Sequence, residues 1–193
     1  MGRLKIVDRG FIELSNLQRQ FLFDEQDVEQ CLPKAMAAAN KLKKINLEIA
    51  IEPLTVDVSP RNIEEIIKES DIVLDGTDNL ETHFLINDAC LKNNLPWIYT
   101  AALGSTACCM TIIPHQTPCL RCYMSQPPSP GTLPNCDTVG VLSMTTGTIA
   151  SLQSAEALRL LAGFEPTNFF LYIDVWHREF ETIKIQKRPD CDT

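Results

Sequence analysis

The 193-residue sequence predicts an α/β domain with a Rossmann-like, mostly parallel sheet, helices on both faces and antiparallel strands at its C-terminal end. Three observations carry this. Strand-like and helix-like patterns alternate through the first half, an acid ends the first strand, and a long helix-compatible segment is followed by two strands suited to a hairpin. Such alternation marks a layered α/β fold. One domain over residues 1–193 is expected.

Leu4-Lys5-Ile6-Val7 is a short apolar strand that ends on Asp8, and the chain then runs into Ser15-Asn16-Leu17-Gln18-Arg19-Gln20. An acid at a strand tip followed by a polar, donor-rich turn with one arginine is how a doubly wound sheet grips a ribose and its phosphates. In such a fold a strand and a glycine-rich turn come before that acid, whereas here Met1, Gly2 and Arg3 precede the strand. Lys34 to Lys44 is helical, with Ala35, Ala37, Ala38, Ala39 and Leu42 as helix formers and Pro33 suited to the first turn. Ile49 to Val56 alternates as a strand, Ile63 to Lys68 is a short amphipathic helix, and Asp71 to Asp75 is a buried strand that turns at Gly76. Leu80 to Lys92 is the next helix and Trp97 to Thr100 the next strand, so the first half reads βαβαβαβ.

The second half changes character. Ala107 to Ile113 is strand-like, while Pro114 to Pro134, holding Pro127, Pro128, Pro130 and Gly131, is an irregular loop. Gly140 to Leu161 follows as one long helix, with Ile149, Leu152, Ala155, Leu158 and Leu161 at helical spacing and stops at Gly163 and Pro166. Phe169 to Val175 and Glu179 to Gln186 flank Trp176-His177-Arg178 as a hairpin.

Composition excludes several functions. A net charge of −8 disfavours a nucleic-acid partner, which needs a positive field. No apolar run approaches the roughly 20 residues of a membrane span, and the N-terminus lacks the basic-then-apolar layout of a signal peptide. A cytoplasmic protein is expected, with no membrane contact. Of the eight cysteines, Cys31, Cys90, Cys108 and Cys109 read as small core residues, and Cys119, Cys122, Cys136 and Cys191 lie in loops. The Cys119-x-x-Cys122 spacing lets both thiolates reach one Zn²⁺, so metal chemistry outweighs a disulfide framework.

Asp8, Ser15 to Gln20, Pro33-Lys34, Leu74-Asp75-Gly76-Thr77-Asp78-Asn79, Cys119-x-x-Cys122, Asn135-Cys136 and Gly147-x-x-x-Ser151-Leu152-Gln153-x-x-Glu156 occur in one order along the chain. In that order the sequence resembles the ThiF/MoeB family of ubiquitin-activating-like adenylyltransferases. The resemblance implies ATP-dependent adenylation of the C-terminal glycine of a ubiquitin-like sulfur-carrier protein, by a homodimer, in thiamine, molybdopterin or another sulfur pathway. Adenylation puts a carboxylate onto the α-phosphate of ATP while pyrophosphate leaves, so phosphate charge must be neutralised and magnesium held. Asp8 would accept the ribose hydroxyls, and Arg19 and Lys34 would meet phosphate. Asp78, just past a strand end, would hold Mg²⁺. By resemblance, Asn16 and Gln20 add polar contacts to the phosphates. Each of these also has a plainer role open to it, as a turn cap or a solvated charge, and Asp75 reads as a cap for the Gly76 turn.

Cys191 would give Zn²⁺ a third ligand, the fourth being absent or supplied by Asp190, Asp192, His115 or water. In ThiF-like members a cysteine in the place of Cys136 takes part in sulfur transfer; its other reading is an ordinary loop cysteine. His83 stands where these proteins commonly carry arginine, which implies a weaker, pH-dependent phosphate contact. The family's first strand and glycine-rich loop are missing from this chain, which implies weak or absent adenylation by residues 1–193 alone. A non-catalytic docking module for a ubiquitin-like partner is the alternative. An NAD-linked oxidoreductase would explain Asp8 but neither Ser15 to Gln20 nor the Cys-x-x-Cys pair.

Overall fold

In the computed structural model, which describes residues 2–128, 136–189 and 191, the backbone forms two sheets in two units, Met1–Val58 and Ser59–Thr193. The smaller unit pairs β1 (Arg3–Val7) in parallel with β2 (Ala50–Leu54), Leu4 opposite Ile51 and Ile6 opposite Pro53. Between them the chain makes α1 (Leu14–Leu17), α2 (Glu25–Glu29) and α3 (Lys34–Ile45). Ala35, Ala37, Ala38 and Ala39 are buried, and their small side chains let α3 lie close on both strands. Asp24 caps α2 by accepting from Asp27 N at 3.1 Å, while Lys41 of α3 contacts Asp24 and reaches Asp27 at 2.6 Å. Hydrogen bonding to Lys41 lowers the Asp24 pKa, and its two acids raise that of Lys41. The two short helices were not expected, because four or five residues carry no period a sequence can display.

The larger unit contains α4 (Ile63–Ile67), β3 (Val73–Leu74), α5 (Leu80–Lys92), β4 (Trp97–Leu103), β5 (Thr106–Ile112), α6 (Leu120–Tyr123), α7 (Cys136–Val139), α8 (Ser143–Leu161), β6 (Phe170–Asp174) and β7 (Glu179–Ile183). Its strands run in the order β3-β4-β5-β6-β7. β3 and β4 are parallel, and the ladders from β4 to β7 are antiparallel. Among the named strands of the described residues, parallel pairing is thus confined to β1–β2 and β3–β4. Gly104 turns the β4–β5 hairpin at φ 60, a left-handed conformation that glycine adopts without steric cost.

Side chains alternate across β4 and are covered on both faces. Ile98 packs with Ala107, Cys109 and Ile173 against Ile149 and Ala157 of α8. On the opposite face Trp97 and Tyr99 are buried, and Tyr99 meets the ring edge of His83 from α5 at 5.1 Å. Burying these apolar surfaces, at roughly 25 cal/mol per Å², is the main drive holding α5 and α8 to the sheet.

Three expectations need correction. The strand Asp71 to Asp75 is neither long nor fully buried: it narrows to Val73–Leu74, with Leu74 41% exposed, because β3 stands at the end of the five-strand order. The loop from Pro114 onward contains the helical turn α6; residues 129–135 of that loop lie outside the described residues. Cys31 is no core residue but an exposed thiol at φ 50 in the turn after α2. Among the described residues, no helix is long and apolar enough to cross a membrane.

The β6–β7 hairpin is tied by Asp174, which accepts from Trp176 N at 3.0 Å, His177 N at 3.2 Å and His177 Nδ1 at 2.9 Å. His177 is the largest cause holding the Asp174 carboxyl down at about 2, and Asp174 raises His177 in turn. The depressed acid stabilises the fold above its unfolded pKa of about 4, an effect lost as pH falls through its folded value. The raised histidine stabilises it below about 6.5, an effect lost as pH rises through its folded value. Asp174→Asn should therefore lower the thermal midpoint most between about pH 4 and 6.5. Midpoints followed by far-ultraviolet circular dichroism from pH 2 to 9 check this, and a pH-independent difference would refute it.

Candidate functional site

In the smaller unit, Asp8 follows β1 directly and its N–H donates to Leu54 O at 3.1 Å, extending the ladder. Its Oδ1 accepts from Gly10 N at 2.7 Å, and Gly10 O accepts from Lys34 N at 2.9 Å. The carboxylate thus caps a tight turn, and the first residue of α3 closes it. A Cβ on Gly10 would stand 3.1 Å from Asp8 Oδ1 and 3.6 Å from Lys34 Nζ. A side chain there would crowd the acid against the ammonium, so Gly10 keeps open a small cradle with one negative and one positive wall. The sequence reading passed over Gly10, whose one signal was a glycine two positions after the strand-tip acid.

Asn16 is 6% exposed, and its Oδ1 accepts from Glu13 N at 3.3 Å in the box that caps α1. Its side chain is therefore engaged in shaping the turn. Arg19 Nη1 donates to Ser15 O at 2.9 Å, which draws the guanidinium back along the same helix. Gln20 differs. Its Oε1 is buried with no hydrogen-bond partner among the described residues, and a buried acceptor without a donor is costly. The cradle at Gly10 and this orphaned acceptor are the two features of the unit that fit a polar ligand.

In the larger unit, Asp78 is exposed in the turn from β3 to α5. Asn79 caps α5 by accepting from Thr82 N at 2.9 Å, and its amide lies 3.5 Å from Asp78 Oδ1. Asp75 does cap the Gly76 turn, accepting from Thr77 N at 3.0 Å. His83, however, faces inward: it is 3% exposed and its Nδ1 lies 2.6 Å from Asp75 Oδ2. That ring nitrogen is spent on a buried acid, which corrects the expectation that His83 substitutes for a phosphate-binding arginine.

Cys119, Cys122 and Cys191 meet. Cys119 Sγ lies 3.9 Å from Cys122 Sγ and 3.5 Å from Cys191 Sγ, and all three sulfurs lie within 4.8 Å of one another. Thiolates about 2.3 Å from a tetrahedral ion stand about 3.8 Å apart, so the donor set fits zinc. Burial is the main cause pushing the Cys119 thiol up to about 12, so without a cation it stays protonated at neutral pH. Arg188 N donates to Cys122 Sγ at 3.4 Å. α5 braces the cluster from the side: Asn87 Oδ1, fully buried, accepts from Leu120 N at 3.0 Å, and Asp88 takes the Arg121 fork at 3.0 and 2.6 Å. Neither Asn87 nor Asp88 was singled out in the sequence, where both look like ordinary helix polar residues.

His115 is not part of the described cluster, and Asp190 and Asp192 lie outside the described residues, as do Asn135 and the side chain of Cys136. Burial raises Cys90 and Cys109 to about 12 and Cys108 to about 11, which keeps these thiols inert. The described cysteines form no disulfide with one another.

Comparison with known proteins matches this chain to the ThiF family over residues 1–193. It is 38% identical to the "Sulfur carrier protein ThiS adenylyltransferase" of Bacillus subtilis, over 100% of this chain and 58% of that protein. It is 36% identical to the "SAMP-activating enzyme E1" of Haloferax volcanii, over 99% of this chain and 70% of that protein. The chain thus spans little more than half the length of the first of these relatives. The crystal structure of E. coli MccB superposes with a TM-score of 0.84 at 20% identity, covering 99% of this chain and 57% of that one, and so shares the fold.

If the three cysteines take one zinc ion, Cys122→Ser and Cys191→Ser should each weaken zinc affinity by roughly 100-fold or more, since a structural site divides its binding energy among few ligands. Competition with a chromophoric chelator measures this. A change below threefold in both variants would show that the thiols do not share an ion.

Proposed function

The chain belongs to the ThiF family, and from that premise we propose that it is the nucleotide-binding part of an enzyme that adenylates the C-terminal glycine of a ubiquitin-like sulfur-carrier protein. The observation that carries this reading is the cradle at Gly10, where a carboxylate at a strand tip and a lysine at a helix start flank a position at which a Cβ would press on the carboxylate at 3.1 Å. The names of the relatives, an adenylyltransferase of ThiS and an activating enzyme of SAMP, support a small carrier protein as the second substrate.

In this reading the carrier's terminal carboxylate attacks the α-phosphate of ATP and pyrophosphate departs, so negative charge must be met where it grows. Asp8 accepts the ribose hydroxyls through the oxygen not used by Gly10. Lys34 and Arg19 neutralise phosphate, Lys34 as a point charge and Arg19 through its fork. Gln20 would meet phosphate through its amide N–H groups, while its buried Oε1 would take a donor from a ribose hydroxyl or the adenine amine, and Asn16 contributes by holding the α1 turn as well as by polar contact. Asp78 is the carboxylate that would hold magnesium, which offsets phosphate charge when bound. Cys119, Cys122 and Cys191 would hold zinc as a structural staple. Cys136 is assigned to sulfur transfer, and a cytoplasmic homodimer is the assembly the family resemblance implies.

Calorimetric titration with ATP and magnesium, followed by a sulfur-carrier protein, tests the reading. Asp8→Asn and Lys34→Met are each expected to weaken ATP binding by roughly 10- to 100-fold, the worth of a charge-assisted hydrogen bond. Binding unchanged within twofold in both variants would remove the nucleotide site. Carrier binding that persists without any ATP binding would favour a docking module instead.

A further inference from the structure

Asp75, which is 1% exposed, is the acceptor side of five hydrogen-bond contacts, and its N–H donates to Ile98 O at 3.1 Å. Its Oδ1 accepts from Thr77 N at 3.0 Å and Thr77 Oγ1 at 2.9 Å, and its Oδ2 faces His83 Nδ1 at 2.6 Å. Its carbonyl oxygen accepts from Thr100 Oγ1 at 2.6 Å and Gln153 Nε2 at 2.8 Å. A carboxylate accepts and cannot donate, so the facing Nδ1 carries the proton and donates. Thr77 Oγ1 also lies 3.0 Å from that nitrogen, completing a closed triangle of Asp75, Thr77 and His83.

Capping the Gly76 turn requires Thr77 N alone. The added partner is the fourth residue of α5, which costs the helix a second buried polar side chain, beside Asn87, on the face that also holds Phe84, Ile86, Ala89 and Cys90. What the extra bond does is close the chain on itself between the end of β3 and the first turn of α5. The residues inside that ring are Gly76 to Thr82, and Asp78 is among them. With Asn79 capping the helix and Asp75 fixed to β4 and α8 through its carbonyl, both ends of the Asp78 turn are tied by hydrogen bonds, exposed at Asn79 and buried at Asp75.

We propose that Asp75 and His83 are positioning residues for Asp78: the buried carboxylate–imidazole bond fixes the turn from which Asp78 meets its cation. This rests on the reading of Asp78 as the magnesium ligand. Partners that orient a metal ligand without touching the metal are worth roughly 10- to 100-fold in metal affinity. The effect is confined to the magnesium-dependent part of ATP binding, because Asp75 and His83 are buried and touch no ligand.

The test is calorimetry of the whole chain with ATP, once with Mg²⁺ and once with a chelator, beside thermal midpoints. His83→Phe keeps an aromatic ring without the donor and should lower the magnesium-dependent affinity roughly 10- to 100-fold, leaving chelator-condition binding within about twofold. His83→Asn places an amide N–H where Nδ1–H stands and should restore most of the loss. Thr77→Val, which removes one bond to Asp75 from the turn itself, should give a smaller loss of the same kind and decides the matter if His83→Phe does not fold. Asp78→Asn separates the two readings. If Asp78→Asn abolishes magnesium dependence while His83→Phe and Thr77→Val leave it unchanged, positioning is overturned and the assignment of Asp78 stands. If Asp78→Asn changes nothing, or the native chain shows no magnesium-dependent affinity, both fall. Equal losses with and without magnesium would mark the pair as structural only.

Discussion

Asp75 is the point at which four elements of the larger unit join through polar bonds inside an apolar layer. Its side chain ties the end of β3 to Thr77 and to His83 of α5, and its carbonyl ties the same point to Thr100 of β4 and Gln153 of α8. Gln153 also donates to Ile98 O at 3.0 Å, so one amide bridges two strands. A buried charge deprived of one partner costs far more than the bond gained by making it. Each element is therefore held to the others by the penalty for leaving, and β3 keeps its place with two laddered residues because its end is pinned by side chains.

The smaller unit is organised differently. Small alanines bring α3 down onto two strands, and a Lys41 contact with two acids fixes α2 to α3. The turn after β1 is then closed at both ends, by Asp8 on Gly10 and by Gly10 on Lys34. The groups that make the turn are also the charged walls of the cradle. Structure and the proposed chemistry share the same two residues there, through different atoms of each, which is why a single added methyl at Gly10 bears on both.

How much of this was legible in sequence varied with the kind of signal. α5 was readable at about its observed bounds, Leu80 to Lys92, between the turn at Gly76 and the strand at Trp97. The strands β4 to β7 were likewise found within a few residues. α1, α2 and α6 were too short to display a period, and β3 reads as a longer strand than it is because apolarity does not reveal where pairing stops. The cysteines divide in the same way. Cys119 and Cys122 announce themselves by spacing, whereas Cys191 joins them from 72 positions away, and the exposure of Cys31 follows from a left-handed turn that its neighbours do not signal. His83 is the clearest case: the family resemblance implied a phosphate contact in place of arginine, and its burial beside Asp75 gave it a partner eight positions upstream.

By itself, the sequence determined the alternation of elements, the polarity of each face and the motif residues Asp8, Lys34, Asp78 and Cys119-x-x-Cys122, since periodicity, caps and short spacings are properties of neighbouring residues. Tertiary structure alone decided which of these residues have a free atom to offer. Asn16 and His83 are engaged by the fold, and Gln20 is left with an unmet acceptor. The physical reason is that hydrogen-bond satisfaction and burial are set by contacts between residues distant along the chain, where spacing carries no information.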